Sequence, residues 1–198
     1  MLDWIKNISK EYPDFWKLYL NKFETKSKRF ICINFDKSGL NPKKDVILSI
    51  GCVGIHDEII RVGDNFEVML FQYKFLHDNG MSNSFLIESK FTKLAEPQAI
   101  QSFIDFIGSS ILVGHRIYQD IELLNEALEK LGCGKIKNEA IDIEIMYQKL
   151  QDTPNKNYSL KDLLSIFKLQ EKENSTVSDN ALQVALLFLK LKSKLGFK

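Results

Sequence analysis

The sequence predicts an α/β domain: a mixed central sheet, an antiparallel meander followed by parallel strands, flanked by helices. Three observations carry this expectation. β-rich runs succeed one another at 30–35 (FICINF), 46–55 (VILSIGCVGI) and 65–75 (NFEVMLFQYKF), separated by turn residues such as Gly39, Asn41-Pro42 and His56-Asp57. Beyond them, amphipathic helical segments alternate with a short apolar strand. Apolar residues make up 44% and charged residues 27% of the 198, ordinary globular usage that excludes disordered, collagen-like and low-complexity classes. The chain is long enough to bury a single substantial core.

Taken in order, residues 1–28 read as one or two short helices. Trp4, Ile5 and Ile8, then Phe15, Trp16, Leu18, Tyr19 and Phe23, recur at helical spacing and are interrupted by Pro13. They form an N-terminal extension that can pack as an extra layer on a main domain at 29–198. Lys22, Lys26, Lys28 and Arg29 fall in a stretch best read as a solvated linker. After the three strands come a helix at 98–107 opened by Pro97, a strand at 111–113, a helix at 121–131 closed by Gly132, and a helix at 143–150. Ser159 and Asp162 make a capping-box-like start for a helix through Phe167, and the apolar run at 181–189 belongs to a long final helix.

Charge and cysteine usage narrow the function classes. With 27 Lys and Arg against 26 Asp and Glu, no global field draws the chain to a polyanion or an anionic membrane, so any polyanion site is local. Cys32, Cys52 and Cys133 are odd in number and form no CxxC or Cys/His cluster, against a disulfide framework or structural zinc. Asp3, Lys6, Lys10, Glu11 and Asp14 interrupt any signal-peptide core, and no apolar run reaches membrane-spanning length. The expectation is a soluble, cytoplasmic protein without a membrane partner.

The stretch 30–53, FICINFDKSGLNPKKDVILSIGCV, carries the most chemistry. Strand alternation places Asn34 and Asp36 on one face just before the turn at Ser38-Gly39. Here the sequence resembles the DEDDh, or DnaQ-like, family of 3′–5′ exonucleases, which includes proofreading epsilon subunits of replicative polymerases. The family's Asp-x-Glu-Thr-Thr-Gly-Leu run matches Asn34-Phe35-Asp36-Lys37-Ser38-Gly39-Leu40, and residues 45–53 (DVILSIGCV) match the strand that follows it. Residues 112–120 (LVGHRIYQD) resemble Val-Gly-His-Asn-x-x-Phe-Asp, ending on Asp120. Ala140-Ile141-Asp142 and Tyr158-Ser159-Leu160 resemble two intermediate segments. The third motif, His-x-Ala-x-x-Asp-Ala, falls on residues 175–181 (STVSDNA). The resemblance spans roughly residues 29–190 and implies a ribonuclease H-like exonuclease fold acting on or binding a DNA or RNA 3′ end.

Residue by residue, the resemblance places metal ligands at Asn34, Asp36, Asp120 and Asn180 and the general base at Ser175. Lys37, Ser38, Gly39, Leu40, His115 and Arg116 then line the substrate cleft. Two ligands have become amides and the base a hydroxyl. Two-metal phosphodiester hydrolysis holds cations about 4 Å apart, which takes a cluster of carboxylates. Magnesium favours anionic oxygen and dehydrates reluctantly, so Mg2+ or Mn2+ is expected to bind weakly or not at all, leaving hydrolysis weak or absent. Asp36 and Asp120 leave a charge of −2, which Lys37 and Arg116 cancel if both face the pocket. Those two side chains can then stand in the electrostatic place of the ions and let the cleft hold a phosphate without cutting it.

Plainer roles compete with these. Asp36 can cap the turn at Ser38-Gly39, and Asp120 can be the N-cap of a helix beginning at Ile121. His115 reads as a hydrogen-bonded structural residue, and His56 and His77 as surface residues. Asp179 lies one residue before the expected third-motif aspartate. A helix step aims it away from the cleft, whereas a bulge or slip recruits it as a metal ligand, with Ser178 beside it. Lys190, Lys192, Lys194 and Lys198 read as a solvated helix face and tail. Besides an impaired exonuclease, two other functions fit the residues: a non-catalytic nucleic-acid or nucleotide-binding module, and a protein-interaction subunit whose partner meets Trp4, Phe15 and Trp16.

Overall fold

Strand β1 (Phe30–Lys37) is a central strand of a six-stranded sheet and sets the architecture. The computed structural model describes residues 11–71, 92–172 and 175–196. β1 pairs antiparallel with β2 (Ile47–His56), which pairs antiparallel with β3 (Ile59–Phe71). On its other side β1 pairs parallel with β5 (Ile111–Gly114), and β5 with β6 (Ala140–Asp142), while β4 (Lys93–Ala95) adds to β3. The order is β4-β3-β2-β1-β5-β6. This is the expected meander followed by parallel strands. The three-residue strands β4 and β6 were not expected as strands, because each is too short to show a periodicity of its own.

Alternation along β1 divides the interior into two cores. Ile31, Ile33 and Phe35 face a layer made by α1 (Asp14–Asn21), α2 (Glu96–Ile107) and α3 (Ile117–Lys130). Cys32 faces the other layer, α4 (Ile143–Gln151), α5 (Leu160–Ile166) and α6 (Val177–Leu195). A strand apolar on both faces is what coverage by helices on both sides requires.

Between β2 and β3, Asp57 (φ 48°) and Glu58 (φ 63°) both adopt left-handed backbone. Two such residues give the mirror-image turn whose twist matches the flanking strands. The expected third strand therefore begins earlier, at Ile59, and its expected residues 72–75 lie outside the described ones. Arg29 clamps this hairpin to the body: its guanidinium donates to both Asp64 oxygens (2.9 and 2.6 Å) and to the Phe106 carbonyl (2.7 Å). His56 is only half surface-like, because its Nε2 lies 2.8 Å from Asp64 Oδ2.

The N-terminal helix corrects one expectation. Trp16 is 1% exposed and Tyr19 fully buried, both in the core shared with α2 and α3, and Phe15 packs against them. The Tyr19 hydroxyl donates to Asn138 Oδ1 (2.7 Å) and accepts from the Lys137 N–H (2.8 Å). Trp16 is therefore not available to a protein partner, because the domain's own apolar layer already covers it. Trp4, Ile5, Ile8, His77 and Lys198 lie outside the described residues.

Other assignments shift by a few residues. α3 begins at Ile117 rather than Ile121, α5 has the expected Ser159–Asp162 capping box, and α6 has a second capping box formed by Thr176 and Asp179. Lys192 does not belong to a solvated face: its ammonium pairs with Glu58 (2.7 Å) and lies over the Phe30 ring. The three cysteines are free and buried, and burial pushes the thiols of Cys32 and Cys52 up, away from thiolate reactivity. Among the described residues no helix is long and apolar enough to cross a membrane.

Candidate functional site

The carboxyl ends of the parallel strands β1, β5 and β6 open at one end of the sheet, the usual position for a ligand crevice in an open α/β sheet. β1 delivers Asn34, Asp36 and Lys37 there, β5 leads into His115 and Arg116, and β6 ends on Asp142.

Asn34 and Asp36 share the face covered by α6. Asn34 is paired with Gly51, and the first turn of α6 rests on that glycine: a Cβ there would lie 2.3 Å from the Val177 carbonyl carbon and 2.5 Å from the Ser178 nitrogen. Only glycine lets the third-motif segment close over the first-motif strand. Asp36 is paired with Ser49, whose hydroxyl donates to Asp36 Oδ2 (2.8 Å), and the aspartate is otherwise exposed.

Lys37, the next residue on β1, turns toward α3 across a register shift between Asp36 and Lys37. Its ammonium lies 2.5 Å from Asp120 Oδ1. Asp120 is 4% exposed, and its carboxyl is pushed up to about 6: burial raises it most, Lys37 opposes this, and the nearby Asp142 charge adds to the rise. Asp120 is not an N-cap. Arg116 holds that position in left-handed backbone (φ 54°), and Asp142 Oδ2 accepts the Ile117 N–H (3.1 Å). Asp142 also accepts the Glu144 N–H (2.9 Å), so one buried aspartate organises the starts of both α3 and α4.

The turn after β1 is capped by Asp45, not Asp36. Asp45 accepts from the Ser38 hydroxyl (3.0 Å) and the Asn41 N–H (2.8 Å), and a Cβ on Gly39 would collide with its carboxylate at 2.4 Å. Leu40, 64% exposed, projects from this braced turn.

Arg116 is drawn away from Asp36 and Asp120. It donates to Glu144 through Nε (2.9 Å) and Nη2 (3.3 Å), and Glu144 also accepts the Tyr158 N–H (2.6 Å). Burial raises the Glu144 carboxyl, but those hydrogen bonds and the Arg116 charge outweigh it and hold it below the usual range. His115 Nε2 donates to the Tyr158 carbonyl (2.8 Å), the structural role expected of it. Glu144 was not singled out in the sequence, because it belongs to no motif and only the fold sets it beside Arg116. Of the two cations expected to neutralise the pocket, Lys37 pairs with Asp120, whereas Arg116 pairs with Glu144.

At the start of α6, the Ser175 hydroxyl donates to Asn180 Oδ1 (2.8 Å), so these two side chains satisfy each other. Asp179 accepts the Thr176 N–H (2.9 Å) and pairs with Lys172 (2.9 and 3.0 Å). The Thr176 N–H first, against some desolvation, and then Lys172 hold its carboxyl low. Glu67, paired with Gly51 on the side opposite Asn34, was overlooked: its Oε1 and the Ser178 hydroxyl are buried without hydrogen-bond partners.

This donor set does not fit a pair of divalent cations. Asp120 already holds an ammonium, the Asn180 carbonyl oxygen holds a hydroxyl, and Asn34 brings no charge. Among the described residues no group of three or more His, Cys, Asp or Glu is arranged to hold a metal ion.

Comparison with known proteins assigns the lineage. The RNase_T exonuclease family model matches residues 33–179. The DNA polymerase III subunit epsilon of Aquifex aeolicus (strain VF5) is 23% identical over 175 residues, covering 85% of this chain and 83% of that protein. A PolC-type DNA polymerase III from Caldanaerobacter subterraneus subsp. tengcongensis is 25% identical over 176 residues, but the chain spans only 12% of its length. Among solved structures, E. coli exonuclease I in complex with a dT13 oligonucleotide superposes with a TM-score of 0.66 at 10% identity, over 86% of this chain and 42% of that one. Exonuclease X in complex with 5′ overhanging duplex DNA gives 0.56 at 17% identity, over 85% and 94%. The chain belongs to the exonuclease family that the model describes, the DnaQ-like 3′–5′ exonucleases.

Proposed function

We propose that this domain binds the 3′ end of a nucleic acid strand in the cleft at the carboxyl ends of β1 and β5, and hydrolyses it weakly or not at all. The observation that carries the reading is the pairing of the replaced positions: Lys37 on Asp120, and Ser175 on Asn180. Family membership supports nucleic acid as the ligand class, and the superposed exonuclease I and exonuclease X are DNA complexes. A working two-metal site needs carboxylates where Asn34 and Asn180 stand, and a base stronger than the Ser175 hydroxyl to activate water.

In this reading Asp36 and Asp120 are the remnants of the metal site, and Ser38, Gly39 and Leu40 form one wall of the cleft. His115 and Arg116, tied to Tyr158 and Glu144, brace the opposite wall. Asp179 serves α6 as a cap. A cytoplasmic setting accompanies the reading, because the relatives are DNA polymerase components.

The deciding experiment is a time course on a 3′-tailed, 5′-labelled oligonucleotide with Mg2+ and separately with Mn2+. Wild type is compared with the Asp36→Ala/Asp120→Ala double variant, and binding of the same strand is followed by fluorescence anisotropy. Binding without shortening beyond the double variant supports the proposal. Robust stepwise shortening by wild type alone overturns the loss of hydrolysis, and no binding to any strand end overturns the ligand class.

A further inference from the structure

Resting on the 3′-end reading, we infer that the Lys37 ammonium is the cleft's own phosphate-binding cation, built into the chain in place of a divalent ion, so that strand ends are held without metal. The geometry separates Lys37 from the other candidate. Arg116 is spent on Glu144, whose two carboxylate oxygens both accept from its guanidinium. Lys37 instead sits on Asp120, a position where the family places a metal ligand, and bonds it through one oxygen only.

An ammonium has three protons. Its side chain is 20% exposed while that of Asp120 is 6% exposed, so a buried carboxylate anchors a lysine that solvent still reaches and takes one of its three donors. The four-carbon stem is fixed at its base by β1, and the pairing with Asp120 fixes its tip, which removes part of the rotamer entropy a free lysine loses on gripping an anion. Asp120 thereby changes from a metal ligand to a counter-ion that positions the lysine.

The same arrangement explains why added metal should not help. A divalent ion seated on Asp120 would have to displace the ammonium or lie beside it, and like charges at that separation repel. Removing the lysine charge should therefore do two opposite things: weaken metal-free binding of a strand end, and open Asp120 to metal.

The test uses the full chain and two readouts. First, anisotropy of a short 5′-labelled oligothymidine is measured in excess EDTA over a range of salt concentrations. Wild type is expected to bind, Lys37→Met to bind about tenfold more weakly with a salt slope lower by about 0.7 to 1, and Lys37→Arg to retain binding. Second, Mn2+ is titrated without nucleic acid and followed by electron paramagnetic resonance, where Lys37→Thr is expected to gain binding that wild type lacks. Circular dichroism melts confirm that each variant is folded, and the arginine variant separates a charge role from a merely structural one.

Wild-type binding abolished by EDTA, unchanged affinity in Lys37→Met, or equal Mn2+ binding by wild type and Lys37→Thr would each overturn the inference while leaving the 3′-end reading standing. Failure of wild type to bind the strand under any condition would overturn both.

Discussion

Gly51 and Val177 are in direct backbone contact: the first turn of α6 rests on the bare Cα of β2, in the register row that also contains Asn34 and Glu67. This contact sets the height of the third-motif segment above the first-motif strand. A methyl group at 51 would lie 2.3 Å from the Val177 carbonyl carbon, and both partners are backbone, so α6 must move. Gly51→Ala is expected to cost about 1 to 3 kcal/mol, read from urea denaturation, and to weaken strand-end binding in the same variant. A fully stable Gly51→Ala with unaltered binding would contradict the close seating of α6.

The assignment of Asp179 to the helix cap predicts a separation of stability from ligand binding. Thr176→Ala removes the hydroxyl that accepts the Asp179 N–H, and should lower stability by about 1 kcal/mol. Asp179→Ala should lower it comparably, because the Thr176 N–H loses its acceptor. Neither change should alter Mn2+ or oligonucleotide affinity. Loss of Mn2+ binding on Asp179→Ala, in a Lys37→Thr background that binds the ion, would make this aspartate a ligand.

Glu144 and Arg116 are unequal partners. The Glu144 side chain is 8% exposed and also accepts the Tyr158 N–H, whereas that of Arg116 is 42% exposed and can turn to water. Glu144→Ala is therefore expected to cost about 1 to 3 kcal/mol, since it strands a buried backbone donor as well as an ion-pair partner. Arg116→Ala should cost less. The two single variants and the double variant form a cycle whose thermal or urea unfolding measures their coupling, and equal losses from both would refute the asymmetry.

Asp120 predicts a pH dependence of definite sign. Its carboxyl titrates near 6 in the folded protein against 3.8 when unperturbed, so between these values the folded state binds more protons than the unfolded one. Its contribution to stability is thus greatest at low pH and declines as pH rises through that window, by up to roughly 3 kcal/mol. Asp64, Glu144 and Asp179 act oppositely, since their lowered carboxyls stabilise the fold above their unfolded range and lose that effect as pH falls. Comparing urea midpoints of wild type and Asp120→Asn across pH isolates the single group. The wild type is expected to lose stability relative to the variant as pH rises from 3.8 to about 6, and a flat difference would refute the raised carboxyl.

Trp16 tests whether the N-terminal helix is an appendage or part of the body. Buried in the core with Tyr19, Phe103 and Leu128, it should cost about 3 to 5 kcal/mol on truncation to alanine, in a single cooperative transition. Two transitions, or a loss below about 1 kcal/mol, would mark the helix as a separately folding extension.

The sequence alone determined the layered architecture, because apolar alternation along 30–35 and 46–55 and the helical periods that follow are local signals, written in consecutive residues. Motif order, read through the family resemblance, assigned Asn34, Asp36, Asp120 and Asn180 to one site, and the two amides among them were the ground for expecting weak metal chemistry. What the sequence left open were the pairings between residues far apart in the chain. The sequence offered Asp36 as a cap for the turn after β1, and the fold gave that role to Asp45. Lys37 and Arg116 were equivalent cations on paper, and only the third dimension put one on Asp120 and the other on Glu144. The fate of Trp16 was hidden for the same reason, since an amphipathic helix shows that it has an apolar face but not what covers it. Periodicity records which way a side chain points along its own element, whereas a partner's identity depends on how the sheet stacks its strands and seats its helices, which tertiary packing alone decides.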